Sequence, residues 1–159
     1  MGEDVRQAID LWEEGTKALL SGDVEGAIEL FTRSLETAPT GEGYTFRGWA
    51  YSFQGRYDDA ITECRKAIAT DPDFGNPYND IGSYLIALGR FDEAIPWLRK
   101  AKGAKRYEPR HFPCLNLGRL YYARGDFAEA GVEFEEALGL HPGDAVAVAF
   151  LERLRMKVN

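Results

Sequence analysis

Cysteine, histidine and long apolar runs are all scarce in this chain, and each shortage excludes something. The two cysteines, Cys64 and Cys114, cannot build a disulfide framework and stand too far apart for a zinc knuckle. A reducing, cytoplasmic compartment fits them best. Only two histidines are present, His111 and His141, each beside a proline in a turn or helix start. No nucleophile has an adjacent base and no ligands cluster, so neither catalysis nor a metal is expected. The glycines are not grouped into a phosphate-cradling loop, so no nucleotide cofactor is expected. No stretch approaches the ~18 uninterrupted apolar residues of a membrane helix. Acids occupy the first residues, where a signal peptide needs a basic start and an apolar run.

What is there is an ordinary globular composition in 159 residues, 45% hydrophobic and 28% charged, which excludes disorder. The charge is lopsided. Residues 1–75 carry a net of −8 and residues 76–159 a net of +1. Inside the second half, Arg99, Lys100, Lys102, Lys105, Arg106 and Arg110 face only Glu108. An acidic chain is a poor general ligand for nucleic acid, although this basic run could steer an acidic partner.

The chain also repeats. Gly15, Gly48, Gly82 and Gly118 follow one another at spacings of 33, 34 and 36 residues. Each is followed at fixed offsets by a turn glycine (Gly22, Gly55, Gly89, Gly125) and an alanine (Ala27, Ala60, Ala94, Ala130). Then comes a core residue: Phe31, Cys64, Leu98 or Phe134. Three copies close on Pro39, Pro72 and Pro142, and the third closes late, at Pro109, after an insertion. Each unit holds two stretches of helical periodicity split by a glycine turn, as in Ala60, Ile61, Cys64, Ala67 and Ile68 on one face of the second. Helices are predicted over 4–20, 24–37, 42–54, 58–70, 76–88, 92–104, 111–124, 128–140 and 145–157, with Asp4 as an N-cap.

This register resembles the tetratricopeptide repeat over about residues 8–144. The resemblance implies an all-α, right-handed α-solenoid superhelix of antiparallel helix pairs. A single domain would span 1–159, with repeats at about 8–40, 41–74, 75–110 and 111–144 and a capping helix at 145–158. It further implies that the first helix of each pair lines a concave groove. The inward positions fall three residues before the aligned glycine, one after it and four after it. These are Trp12, Thr16 and Leu19; Thr45, Trp49 and Ser52; Asn79, Ser83 and Ile86; Leu115, Arg119 and Tyr122. Asn76 and Phe112 join them near the helix starts. Trp12, Trp49 and Tyr122 are the expected aromatic anchors, while Asn76, Asn79 and Arg119 supply hydrogen bonds.

Chaperone-binding members of the family use a carboxylate clamp of Lys, Asn, Asn, Lys and Arg. The matching positions here are Trp12, Thr16, Phe46, Asn76 and Asp80, and none agrees. The leading expectation is therefore a non-enzymatic adaptor that takes a peptide or helix of another protein, without that clamp. A small acidic secretion chaperone is one alternative, and binding of nucleic acid or an acidic partner through the basic insertion at 99–110 is another. No membrane partner is expected, and pairing of two copies through the groove is left open.

Overall fold

The computed structural model describes residues 1–158. Among these the chain is all helical: α1 (Glu3–Leu20), α2 (Val24–Thr37), α3 (Gly41–Phe53), α4 (Tyr57–Thr70), α5 (Asn76–Ala87), α6 (Phe91–Lys102), α7 (Phe112–Arg124), α8 (Phe127–Leu140) and α9 (Ala145–Val158). Each lies within about two residues of its predicted bounds. At the start of α1, Gly2 is the capping residue and Asp4 sits in the first turn, where its carboxylate meets the positive end of the helix. Asp4 is therefore not the N-cap.

The four pairs α1/α2, α3/α4, α5/α6 and α7/α8 are hairpins stacked in sequence, with α9 laid against α8. Two devices build every hairpin. Gly22, Gly55, Gly89 and Gly125 turn the chain with φ between 73° and 90°, a left-handed conformation that costs a side chain dearly. The aligned glycines admit the partner helix: a Cβ added at Gly118 would sit 2.7 Å from the Phe134 ring, and one at Gly82 2.5 Å from Leu98. Phe31, Leu98 and Phe134 can be completely buried because the helix opposite each offers no side chain there.

The stacked pairs bury two apolar clusters. A small one holds Leu19, Ala27, Phe31 and Ala50, edged by Trp12, Phe46 and Trp49. A large one runs from Ala60 through Ile81, Leu98, Leu120 and Phe134 to Leu154. Phe150 of α9 stacks on Phe134 at 4.8 Å and closes the C-terminal end, the role a terminal repeat needs filled.

The insertion after α6 folds back as a strap. Arg106 forms a parallel bridge with Phe74, exchanging backbone hydrogen bonds with Asp73 and Gly75. Its guanidinium donates to Glu42 and Asp71. Tyr107 is buried behind it. No helix among the described residues is long and apolar enough to cross a membrane.

Candidate functional site

The first helices touch each other in order, α1 with α3, α3 with α5 and α5 with α7, while the second helices have no comparable contacts. The array therefore curves toward the first helices. Their exposed register positions form the inner wall.

On that wall the structure gathers an aromatic file. Trp12 of α1 meets Phe46 of α3 edge to face at 5.0 Å. Phe46 meets Trp49 at 5.8 Å, and Trp49 meets Phe53 at 5.4 Å. Trp12 and Trp49 are half-buried at the rim of the small cluster, and Phe53 is 58% exposed. Trp12 lines two adjoining hollows. One also involves Val5, Ile9 and Thr40, and the other Phe46, Phe74, Asn76 and Tyr107. Trp12 Nε1 is buried without a hydrogen-bond partner, a costly state for an indole N–H.

The remaining candidates separate by depth. Thr45 is 2% exposed and donates to the Gly41 carbonyl at 2.7 Å, so it has no surface to offer. Thr16 donates to the Trp12 carbonyl at 2.9 Å and Ser52 to that of Trp49 at 2.6 Å; both hydroxyls are engaged within their own helices. Asn79 is buried, and its Oδ1 accepts from Asn116 Nδ2 at 2.9 Å, tying α5 to α7. Leu19 and Leu115 are also buried, whereas Ser83 and Ile86 are half-buried, and Arg119 and Phe112 are exposed. Tyr122 lies apart from the tryptophans, against Phe127 and Phe150 beside the capping helix. Trp12, Trp49 and Asn76 are thus brought together around Phe46, and Tyr122 is not part of that group.

Besides Phe46, two residues outside the inward register positions belong to this wall. Phe53 stands one turn beyond Trp49, a spacing that the sequence does show. Asp80 is half-buried with no ion-pair or hydrogen-bond partner among the described residues, and desolvation pushes its carboxyl up to about 7. Its charge also raises the neighbouring Tyr84, Tyr107 and Cys64, on each of which burial acts first.

The basic run at 99–110 is largely engaged. Lys102 Nζ lies 3.0 Å from Glu133 and 2.7 Å from Glu136, and Arg99 donates to the Tyr121 hydroxyl at 3.1 Å. Arg106 holds Glu42 and Asp71, and Arg110 donates to the Lys105 carbonyl. On the outer side, Trp97 packs beside Tyr78 under the cations of Arg65 and Lys100. Cys64 and Cys114 are free and buried, inert positions for a thiol.

Comparison with known proteins agrees with this geometry. Family models described as tetratricopeptide repeat match residues 45–109 and 112–136. Small glutamine-rich tetratricopeptide repeat-containing protein 2 of Mycosarcoma maydis is 35% identical over 99 residues, 62% of this chain and 28% of its own length. The chain spans under a third of the first curated relatives it matches. Among solved structures, Pseudomonas aeruginosa pilF superposes with a TM-score of 0.92 at 23% identity, over 99% of this chain and 71% of that one. The second tetratricopeptide domain of Spaghetti (RPAP3), solved with the HSP90 peptide SRMEEVD, superposes with a TM-score of 0.60 at 24% identity, over 64% of this chain and 95% of that one.

Proposed function

The chain belongs to the tetratricopeptide repeat family, and from that premise we propose that it is a non-enzymatic protein–protein interaction adaptor. Its guest is an apolar segment of another protein, a peptide or a helix, laid on the inner wall against Trp12, Trp49 and Phe53. The observation that carries this reading is the aromatic file itself. Four rings in consecutive contact leave apolar surface facing the inside of the curve, with Phe53 mostly uncovered. Burial of such anchors dominates the binding energy of most interfaces, at roughly 2 kcal/mol or more each. Asn76, Ser83 and Arg119 then set the register of the guest by hydrogen bonds. Thr16, Thr45 and Asn79 act from behind, as residues that fix the wall.

The guest differs from the HSP90 peptide of the structural neighbour. At the clamp positions this chain presents no cation, and Asp80 puts a carboxyl in the middle of the wall. Desolvation already works against its charge, and an acidic tail docked over it would add repulsion. A lysine or arginine would relieve the same cost. The preferred segment is therefore apolar with a cationic residue, in keeping with the net charge of −7. In the basic insertion Lys102 and Arg106 are already held by carboxylates, which takes two of its six cations away from an acidic partner or nucleic acid. Two free, buried thiols accord with a reducing cytoplasmic setting.

The test is selection from a peptide library on the full chain, followed by titration of the winners. Apolar peptides with Lys or Arg are expected, and Phe53→Ser should weaken them about tenfold or more with helical circular dichroism unchanged. Winners that are acidic, or that bind Phe53→Ser as tightly as wild type, would overturn the reading.

A further inference from the structure

The two histidines, 30 residues apart in the sequence, meet in space. His111 precedes α7, His141 ends α8, and Asp144 starts α9. Their imidazoles stack with centroids 4.3 Å apart and planes 14° from parallel. Asp144 Oδ2 lies 3.6 Å from His111 Nε2 and 3.3 Å from His141 Nδ1, and the three ligand atoms all fall within 4.8 Å of one another. We propose that His111, His141 and Asp144 bind a divalent transition-metal ion of the zinc class, joining the start of α7 to the start of the capping helix.

Three observations carry this. The spacing is right: donors bound at ~2.0–2.1 Å around a tetrahedral ion lie about 3.4 Å apart, close to both measured separations. The carboxylate is oriented, because Asp144 Oδ1 accepts from Ala147 N–H at 2.9 Å, which leaves Oδ2 as the atom facing both rings. Oδ2 is also unclaimed by any other cation: Asp144 is 9% exposed, and the basic groups beside it among the described residues are the two imidazoles, so a metal ion has no lysine or arginine to displace. The other ligand cluster, Cys114 with Glu133 and Glu136, already has Lys102 Nζ on both carboxylates. Stacked rings direct their lone pairs side by side, so His141 must turn to aim Nδ1 at the shared point. Its side chain is 55% exposed and free to do so, and that open side leaves a coordination position for water. Imidazole with carboxylate suits zinc, cobalt and nickel better than calcium or magnesium.

The test uses the untagged full chain, stripped with a chelator and titrated with zinc chloride by calorimetry. One ion per chain is expected, and at a hundredfold excess over Kd the melting midpoint should rise by about 5–10 °C. Cobalt in place of zinc should give the visible absorption of a four-coordinate site. Asp144→Asn retains a capping side chain and His141→Ala alters an exposed one, so both should fold as wild type without metal. Each should weaken zinc by about tenfold or more, whereas Cys64→Ala with Cys114→Ala should leave binding intact. Absence of binding up to about 1 mM zinc, or equal binding in Asp144→Asn and His141→Ala, overturns the proposal.

Discussion

The two ends of the array obey one register and finish differently. At the C-terminal end, α9 lies against the last hairpin and stacks Phe150 on Phe134, so the core ring of that hairpin is covered by protein. In the first two repeats the small cluster is bounded on the inner wall by Trp12, Phe46 and Trp49, rings that meet one another edge to face. Repeat proteins stabilise each unit through its neighbours, and the same register that seats a ring under α9 in the last repeat leaves rings on the wall in the first two. The proposed docking surface lies on that wall.

The sharpest way to break this comparison is to truncate equivalent rings. Phe31 and Phe134 hold the same register position and are both fully buried. Each change to alanine should cost roughly 3–5 kcal/mol, with Phe134→Ala at the upper end because it also unseats α9. Chemical denaturation of both variants checks this, and equal losses with unchanged m-values would show one cooperative unit without distinct ends.

A smaller effect probes the seam between the ends. Glu63 is buried and is held by Arg47 at 2.8 Å and Lys66 at 3.1 Å, with Arg47 also reaching Thr32. Arg47→Ala should destabilise by about 2–3 kcal/mol, because it leaves a buried charge with one exposed partner. Arg47→Ala with Glu63→Gln should recover part of the loss, which a double-mutant cycle reads directly.

The smallest effect is on pH dependence. Desolvation raises the Asp80 carboxyl to about 7, from an ordinary value near 3.8. The folded chain therefore binds the proton more tightly than the unfolded one, and this group's contribution falls as pH rises from about 4 to about 7. Asp80→Asn should raise the melting midpoint at pH 8 by a few degrees and give little advantage at pH 4. A uniform gain across that range would mean that the asparagine packs better and that charge is not involved.

The helices were legible because glycine, alanine and proline recur at offsets that only helical hairpins reconcile. The inner wall was legible in direction but not in depth. Register positions name the side of a helix a residue faces, and they put Thr45 and Trp49 on the same footing. Depth depends on how closely the next helix approaches. Thr45 lies one turn after Gly41, where Asp71 and Phe74 come close to the helix, and it is buried. The tryptophans stand out in the sequence because they are large residues at wall positions. Phe53 does not, because it lies one residue beyond the last inward position of its helix. The histidine pair was hidden for another reason: each looked like a turn residue in its own segment, and only the meeting of three helix ends brings them within reach of Asp144.

The strap formed by the insertion has a mechanical consequence. Arg106 grips carboxylates on α3 and just after α4, while its backbone is bridged to the segment that leads into α5. Prising α3 away from α5 would have to break all of these ties together. The joint beyond it is tied as well, by Asn116 to Asn79 and by Lys102 to Glu133 and Glu136, so bending of the solenoid is directed to the joint between the first two hairpins, which ring contacts and the Arg47–Thr32 hydrogen bond hold.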